Sequence, residues 1–204
     1  PRINYSHTTD SRNIAVMLLV DTSQSLNERN PETGQTLLEL SEEALAITAW
    51  TVEQLGDKFA IAGFCSDTRH EVRYQHIKGY SEGYNDEVKA RIAGLEASFS
   101  TRMGAAMRHA AHYLEAQKAE KKLMLVLTDG EPADIDSKDP QTLIQDTHKA
   151  VEELQGQGIY SYCITLDPNA DEYVSDIFGD QYTVIDHVDK LPEQLPQVFM
   201  KLTN

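Results

Sequence analysis

Three oxygen-bearing side chains at alternating positions follow the first apolar segment of the chain. Asp21, Ser23 and Ser25 come directly after the apolar residues 14–20. An apolar run of this length, bounded by polar residues, indicates a buried strand, so these side chains are expected at its carboxyl end. One carboxylate and two hydroxyls are hard oxygen ligands, which suit Mg²⁺ or Mn²⁺ better than zinc or copper. The stretch therefore predicts part of a divalent-cation site.

Two separate segments carry oxygen ligands that could complete this site. Thr101 stands at the start of a helix predicted by the recurrence of apolar residues at helical spacing from Met103. Asp129 follows the apolar run 123–128, which predicts a central strand. Taken alone, each feature has a plainer interpretation as a helix cap or a turn. Together they form a chemically sensible Mg²⁺ site with a position left open for a carboxylate of another protein.

The segments between these residues predict an α/β fold. After an early hairpin, strands alternate with helices, which favours an open, mostly parallel, six-stranded Rossmann-like sheet with helices on both faces. The predicted strand order is 3-2-1-4-5-6, with one antiparallel edge strand. The first and fourth strands are neighbours in this order, so Asp21 and Asp129 are expected side by side. The predicted strands are 14–20, 57–65, 71–77, 123–128, 159–166 and 182–185, and the predicted helices are 37–55, 87–93, 103–114, 140–155, 171–178 and 191–202, the last interrupted by Pro196.

Composition restricts the classes of partner. The 204 residues carry 18 basic and 33 acidic side chains, a formal net charge of −15, which argues against binding nucleic acid or anionic lipid through bulk electrostatics. The longest apolar stretch ends at Val20, well short of the roughly 20 residues that span a membrane. Because the sequence begins with Pro1, we expect residues 1–204 to be one domain from the carboxy-terminal part of a longer protein.

The two cysteines are expected to stay reduced. Cys65 and Cys163 fall in predicted strands that lie three places apart in the sheet. That separation is about 14 Å at the usual strand spacing, which is too far for a disulfide. Reduced thiols favour a cytoplasmic location.

The combination of Asp21-x-Ser23-x-Ser25, Thr101 and Asp129-Gly130 resembles the metal-ion-dependent adhesion site of von Willebrand factor A domains. The resemblance extends over nearly the whole chain, from 13 to 202. It implies that Asp21, Ser23, Ser25, Thr101 and Asp129 hold Mg²⁺, with Mn²⁺ or Ca²⁺ as substitutes, and that the ion binds an acidic side chain of a partner protein.

Four shorter segments resemble a narrower group, the carboxy-terminal A domains of the CbbO and NorD proteins, which work with hexameric AAA+ ATPases of the MoxR type. These segments are 56–60, 101–110, 127–132 and 191–196. The resemblance implies an adaptor rather than an enzyme. In the CbbO branch the client is Rubisco, which the motor remodels to free inhibitory sugar phosphates; in the NorD branch the client is nitric oxide reductase during maturation.

Two stretches favour the CbbO branch, namely 21–26 and 36–41. Between them lies an irregular excursion, 26–36, that contains Asn30-Pro31 and Gly34 and is predicted to lie at the mouth of the site. Its length and chemistry could determine which client fits.

Two other functions remain as alternatives. A metal-dependent phosphoryl-transfer enzyme could use Asp21 as its nucleophile, but enzymes of the haloacid dehalogenase type want a second acidic residue two positions on. Ser23 occupies that position, and a hydroxyl with its ordinary high pKa cannot act as the acid and base. The fold would also permit an extracellular adhesion module, because a fold does not determine function.

Further polar residues have plainer interpretations. His109 and His112 could share a metal ion across one helical turn, but the surface of a helix is the simpler assignment. Asp134, Asp136 and Asp139 lack the glycine and terminal glutamate of an EF-hand loop. We expect them to form an acidic rim close to the predicted site.

Overall fold

The computed structural model describes residues 13–21, 29, 31, 33–68, 71–95, 102–128, 139–167, 169–185 and 187–203. Within these ranges, strands and helices alternate after an early hairpin, as the sequence predicts. The strands are β1 (Ile14–Asp21), β2 (Lys58–Thr68), β3 (Glu71–Lys78), β4 (Lys121–Thr128), β5 (Ile159–Thr165) and β6 (Tyr182–Val184), and the helices are α1 (Leu37–Leu55), α2 (Asp86–Ala93), α3 (Met103–Glu115), α4 (Pro140–Gly156), α5 (Val174–Phe178) and α6 (Leu191–Thr203).

The six strands form one sheet in the order β3-β2-β1-β4-β5-β6, which confirms the predicted topology. β1 pairs in parallel with both β2 and β4, and the parallel pairing continues through β5 to β6. β3 is the antiparallel edge strand and pairs only with β2. The chain reverses its direction along the sheet between β1 and β4, which is where ligands bind in open α/β sheets.

Both faces of the sheet are covered, which explains why residues 14–20 of β1 and 123–127 of β4 are continuously apolar. One face packs α3, α4 and α5 against alternate residues of the central strands, among them Met17, Leu19 and Val126. The opposite face packs α1, α2 and α6 against the intervening residues, among them Leu18 and Leu125. Because successive strand residues point to opposite faces, each strand contributes to both cores.

Local signals in the sequence determine where the main helices begin and end. The Thr36 hydroxyl accepts a hydrogen bond from the Glu39 backbone N–H at 3.0 Å and caps α1. Gly56 ends this helix with φ +78°, a left-handed conformation that favours glycine. Asp139 caps α4 directly ahead of Pro140, a residue that is well tolerated in the first turn of a helix.

Two predicted boundaries are wrong. β2 was expected to end near Cys65, but it continues to Thr68, because β3 supplies backbone partners as far as the pair Thr68 and Glu71. Nor does Pro196 interrupt the last helix, since α6 is continuous to Thr203. Proline at this early position removes one backbone hydrogen bond, while a buried apolar face that includes Phe199 holds the helix on the sheet.

Two simple observations bear on the environment of the chain. Cys163 is a buried cysteine in β5, three places from β2 in the sheet. Among the described residues, no helix is both long enough and apolar enough to cross a membrane.

Candidate metal centre

The carboxyl ends of β1 and β4 meet at the point where the sheet reverses. Val20 lies opposite Leu127 in the parallel register, so the last residue of β1, Asp21, is level with Thr128 at the end of β4. The residue that follows Thr128 is Asp129. The backbone therefore brings two of the predicted ligand positions to adjacent strand ends.

The third predicted ligand, Thr101, precedes α3 in the sequence, and α3 runs antiparallel to these strands. Near the end of this helix, the Glu115 carbonyl accepts a hydrogen bond from Lys122 Nζ at 2.8 Å, close to the start of β4. The opposite end, at Met103, consequently lies towards the carboxyl ends of β1 and β4, one residue after Arg102 and two after Thr101. The positive end of the helix dipole favours negatively charged groups at this edge.

The ligand side chains themselves lie outside the described residues. This holds for Ser23, Ser25, Thr101 and Asp129, and for the side chain of Asp21. As a donor set they fit a hard divalent cation, because they offer only carboxylate and hydroxyl oxygens. Within the described ranges, no three histidine, cysteine, aspartate or glutamate side chains form a group that could hold a metal ion.

A rigid turn borders this edge on the β5 side, and sequence reasoning did not identify it. The carboxylate of Asp167 accepts hydrogen bonds from the Tyr173 hydroxyl and the Asn169 backbone N–H, both at 2.9 Å. Thr165, which is buried, accepts a hydrogen bond from the Asp167 backbone N–H at 3.1 Å. Burial, and then the bond to Asp167, raises the pKa of the Tyr173 hydroxyl, so it remains a donor. An aspartate directly after the predicted strand 159–166 was the available signal for this turn.

Ion pairs and hydrogen bonds of Arg108, together called the clamp, join α3 to α4. The Arg108 guanidinium contacts Asp146 Oδ1 at 3.0 Å and Glu153 Oε2 at 2.8 Å. A further bond from Arg108 reaches the Asp146 backbone carbonyl at 3.2 Å. The hydrogen bond from Arg108 lowers the pKa of the Glu153 carboxyl. The clamp holds α3, whose first turn adjoins the predicted ligand Thr101, against its neighbour.

The two histidines of α3 occupy different surroundings. His109 packs edge-on against Tyr74 of β3, with ring centroids 4.3 Å apart, and also contacts Tyr113. His112 instead lines a cavity of about 200 Å³ together with Arg108. The aromatic contacts account for His109 without a metal ion.

The predicted acidic rim lies mostly outside the described residues. Asp134 and Asp136 belong to that part of the chain. Asp139 is described, and its carboxylate accepts hydrogen bonds from the Gln141 backbone N–H and the Thr142 hydroxyl, both at 3.0 Å. Asp139 therefore serves as a helix cap.

The chain is similar in sequence to a known domain family and to several known proteins. The family model described as "von Willebrand factor type A domain" matches residues 15–199. An uncharacterized protein of Pseudomonas aeruginosa is 36% identical over 94% of the chain and 31% of its own length. Protein NorD of Brucella melitensis is 35% identical over 98% of the chain and 32% of its own length. The chain thus spans about a third of these relatives.

Among solved structures, the fold is similar to that of the PilB minor pilin from Streptococcus sanguinis. The TM-score is 0.76, and the match covers 95% of this chain and 62% of the pilin chain. The sequences are only 16% identical, so this likeness concerns the fold alone.

Proposed function

We propose, on the premise that the chain belongs to the von Willebrand factor type A domain family, that it is a metal-dependent protein-binding adaptor. Family membership and relatives named NorD support a role in protein interaction. The proposal adds a specific way of binding, in which a divalent cation joins the domain to an acidic side chain of a client protein.

The proposed ligands are Asp21, Ser23, Ser25, Thr101 and Asp129, and the proposed ion is Mg²⁺, with Mn²⁺ or Ca²⁺ as substitutes. When bound, the ion supplies a Lewis-acidic position that a partner's carboxylate can occupy. Hydroxyls are weak ligands, so metal affinity is expected to rise when the client's carboxylate arrives. Metal and client then support each other's binding by the same factor.

One observation carries the proposal. Three described segments have one terminus at the same edge of the sheet: β1 ends at Asp21, β4 ends at Thr128, and α3 starts at Met103. In the sequence, the proposed ligands are at these termini or within a few residues of them. These segments are far apart in the sequence and meet only through the fold.

We propose Rubisco as the client on the strength of the resemblance to CbbO, with a MoxR-type AAA+ ATPase hexamer as the motor that remodels it. A NorD-type adaptor that serves nitric oxide reductase is the second candidate, and the relatives named NorD favour it. We place this action in the cytoplasm, because the two cysteines of the sequence are expected to stay reduced.

The proposal assigns no catalytic group to this domain, and the ATPase activity belongs to the partner. Ser23 stands where a phosphoryl-transfer enzyme with Asp21 as its nucleophile would need an acid or base. Hydrolysis of a generic phosphate ester by the purified domain, lost in Asp21→Ala, would favour the enzyme alternative.

The experiment measures the binding of purified Rubisco and of nitric oxide reductase in separate titrations. Asp21→Ala and Thr101→Ala should abolish binding of the true client, as should EDTA, while the circular dichroism spectrum and ATPase binding stay unchanged. Asp180→Ala, which removes an exposed carboxylate near the start of β6, is the matched control and should bind normally. Unchanged client affinity in Asp21→Ala and Thr101→Ala would refute the proposal.

A further inference from the structure

An open cavity of about 460 Å³ lies at the opposite edge of the sheet from the candidate metal centre. It forms where the end of α6, at Leu202 and Thr203, meets the first residues of β4 and β5. β4 is eight residues long, so about 25 Å of strand separates the cavity from the metal edge. A ligand in this cavity would therefore not touch the proposed metal.

The walls of the cavity are largely apolar. Ile14 and Leu123 are buried, and Leu202 is half-buried beside them. Tyr160 completes the wall and is 45% exposed, with its ring stacked on Tyr162 at 6.5 Å between centroids. An exposed tyrosine beside aliphatic side chains is typical of the centre of a protein interface.

The rim of the cavity is basic, although the chain as a whole carries a net charge of −15. Lys121, Lys122 and Lys201 line it, together with one acidic residue, Glu120. Lys122 Nζ donates a hydrogen bond to a backbone carbonyl, which leaves its charge unneutralised. Within the part of the chain that the structure describes, neither Lys121 nor Lys201 forms an ion pair. The rim thus concentrates positive charge around an apolar floor.

We propose that this cavity is a docking site for an acidic peptide segment of a partner protein, separate from the client site at the metal. An apolar side chain of the segment enters the cavity, and carboxylates on either side of it contact Lys121 and Lys201. The volume lies within the range of ligand pockets and holds a few side chains. Charge complementarity selects the partner, because three of the four charged residues that line the cavity are lysines, while the small size of this basic rim suits a short acidic segment rather than the extended charge of a nucleic acid or a membrane.

Fluorescence anisotropy with a labelled peptide of alternating glutamate and leucine tests this proposal. EDTA is present throughout, so that the peptide's carboxylates cannot bind through a metal ion. We expect saturable binding that weakens as salt rises. Lys121→Glu/Lys201→Glu should reduce affinity at least about tenfold, and Tyr160→Ser should reduce it without any change of charge.

The matched control is Lys149→Glu/Lys190→Glu, which changes the net charge equally at two exposed sites elsewhere. It should alter affinity by less than about twofold, an effect of long-range charge alone. Circular dichroism of each variant verifies folding. An equal loss in both double variants would overturn the proposal, as would the absence of saturable binding by the wild type.

Two further outcomes would overturn the assignment of this partner. Binding that is absent in EDTA, appears when Mg²⁺ replaces the EDTA and disappears with Asp21→Ala would place the peptide at the metal centre. Self-association of the domain in sedimentation experiments, abolished by Lys121→Glu/Lys201→Glu, would identify a second copy of the chain as the occupant. Peptide binding that survives EDTA is independent of the client site, so failure of either proposal leaves the other testable.

Discussion

The backbone of Gly104 lies against the carboxylate of Asp146, so closely that a Cβ at position 104 would stand 2.5 Å from Asp146 Oδ2. The first turn of α3 can approach α4 in this way only because residue 104 has no side chain. Arg108, one helical turn later, then holds the same carboxylate at 3.0 Å. Close helix packing and a polar clamp thus occur together beside the segment that carries Thr101.

Gly104→Ala is predicted to lower the free energy of unfolding by about 1–2 kcal/mol, because the new methyl group displaces the Asp146 carboxylate from Arg108. In an Asp146→Ala background the same substitution should cost about 1 kcal/mol less, since the displaced group is gone. Urea denaturation of the four proteins measures this coupling.

Gly156→Ala is the matched control for this prediction, because a Cβ at Gly156, the last residue of α4, would meet nothing within 4 Å. It should be neutral or stabilising by up to about 1 kcal/mol, as expected from helix propensity. If Gly104→Ala is as benign as Gly156→Ala, the contact with Asp146 does not constrain α3.

Glu82 stabilises the loop between β3 and α2, and its contribution to the free energy of unfolding should depend on pH. Its carboxylate accepts hydrogen bonds from Arg91 at 2.8 Å, from the Gly79 backbone N–H at 2.9 Å and from His76 at 2.7 Å. These bonds, with Arg91 foremost, lower the pKa of Glu82 from 4.5 to about 2. A carboxyl group whose pKa is lower in the folded state than in the unfolded state stabilises the fold. This stabilisation is fully present at pH values above the pKa of the unfolded state, and it is lost as the pH falls through the pKa of the folded state.

Glu82→Gln should therefore be less stable than the wild type at pH 7, and the difference should shrink as pH falls from 4.5 towards 2. Urea denaturation across this range gives the difference, and the chemical shift of the Glu82 carboxyl carbon gives its titration directly. Glu43→Gln, at an exposed position on α1, is the control and should show little difference at any pH. A difference for Glu82→Gln that stays constant down to pH 2 would contradict the prediction.

Lys78 is a buried cation, and the effect of its removal on stability should depend on pH in the alkaline range. Its ammonium donates hydrogen bonds to the Phe59 carbonyl at 2.7 Å and the Gly79 carbonyl at 3.0 Å, and lies 4.0 Å from the centre of the Phe59 ring. Burial lowers the pKa of Lys78 below its ordinary value of 10.5. The unfolded chain consequently binds this proton more tightly than the folded chain does. The difference lowers the free energy of unfolding, and it does so in full at pH values below the pKa of Lys78 in the folded state.

As pH rises from the folded pKa of Lys78 to 10.5, the wild type should gain stability relative to Lys78→Met. Thermal or urea denaturation of both proteins between pH 7 and pH 10.5 measures this trend. Lys190→Met, at an exposed site, should show no such trend. A difference that is independent of pH, or that moves against the wild type, would show that burial does not lower the pKa of Lys78.

The sequence predicted the sheet well because the determining signals are local. Apolar runs such as 14–20 identify buried strands, and the recurrence of apolar residues at helical spacing predicts the helix 37–55 with the bounds that the structure confirms. The predicted end of β2 was wrong because its polar residues up to Thr68 are held by backbone bonds to β3, which do not depend on side-chain polarity.

The candidate site likewise has features that the sequence predicts and features that it does not. Its predicted segments meet at one edge because strand order brings Asp21 level with Thr128. The clamp of Arg108 with Asp146 was not predictable, since those residues are distant in sequence and only the packing of α3 on α4 brings them together. The same is true of the bond between Tyr173 and Asp167, which requires the chain to turn back at the end of β5.

The central claim is that Asp21, Ser23, Ser25, Thr101 and Asp129 hold one divalent cation. Titration of the domain with Mn²⁺, followed by the electron paramagnetic resonance signal of the free ion, tests it most directly. The wild type should bind one Mn²⁺ that Mg²⁺ displaces, Asp21→Ala and Asp129→Ala should lose this binding, and Asp180→Ala should retain it. Equal binding of Mn²⁺ by the wild type, Asp21→Ala and Asp129→Ala would contradict the claim.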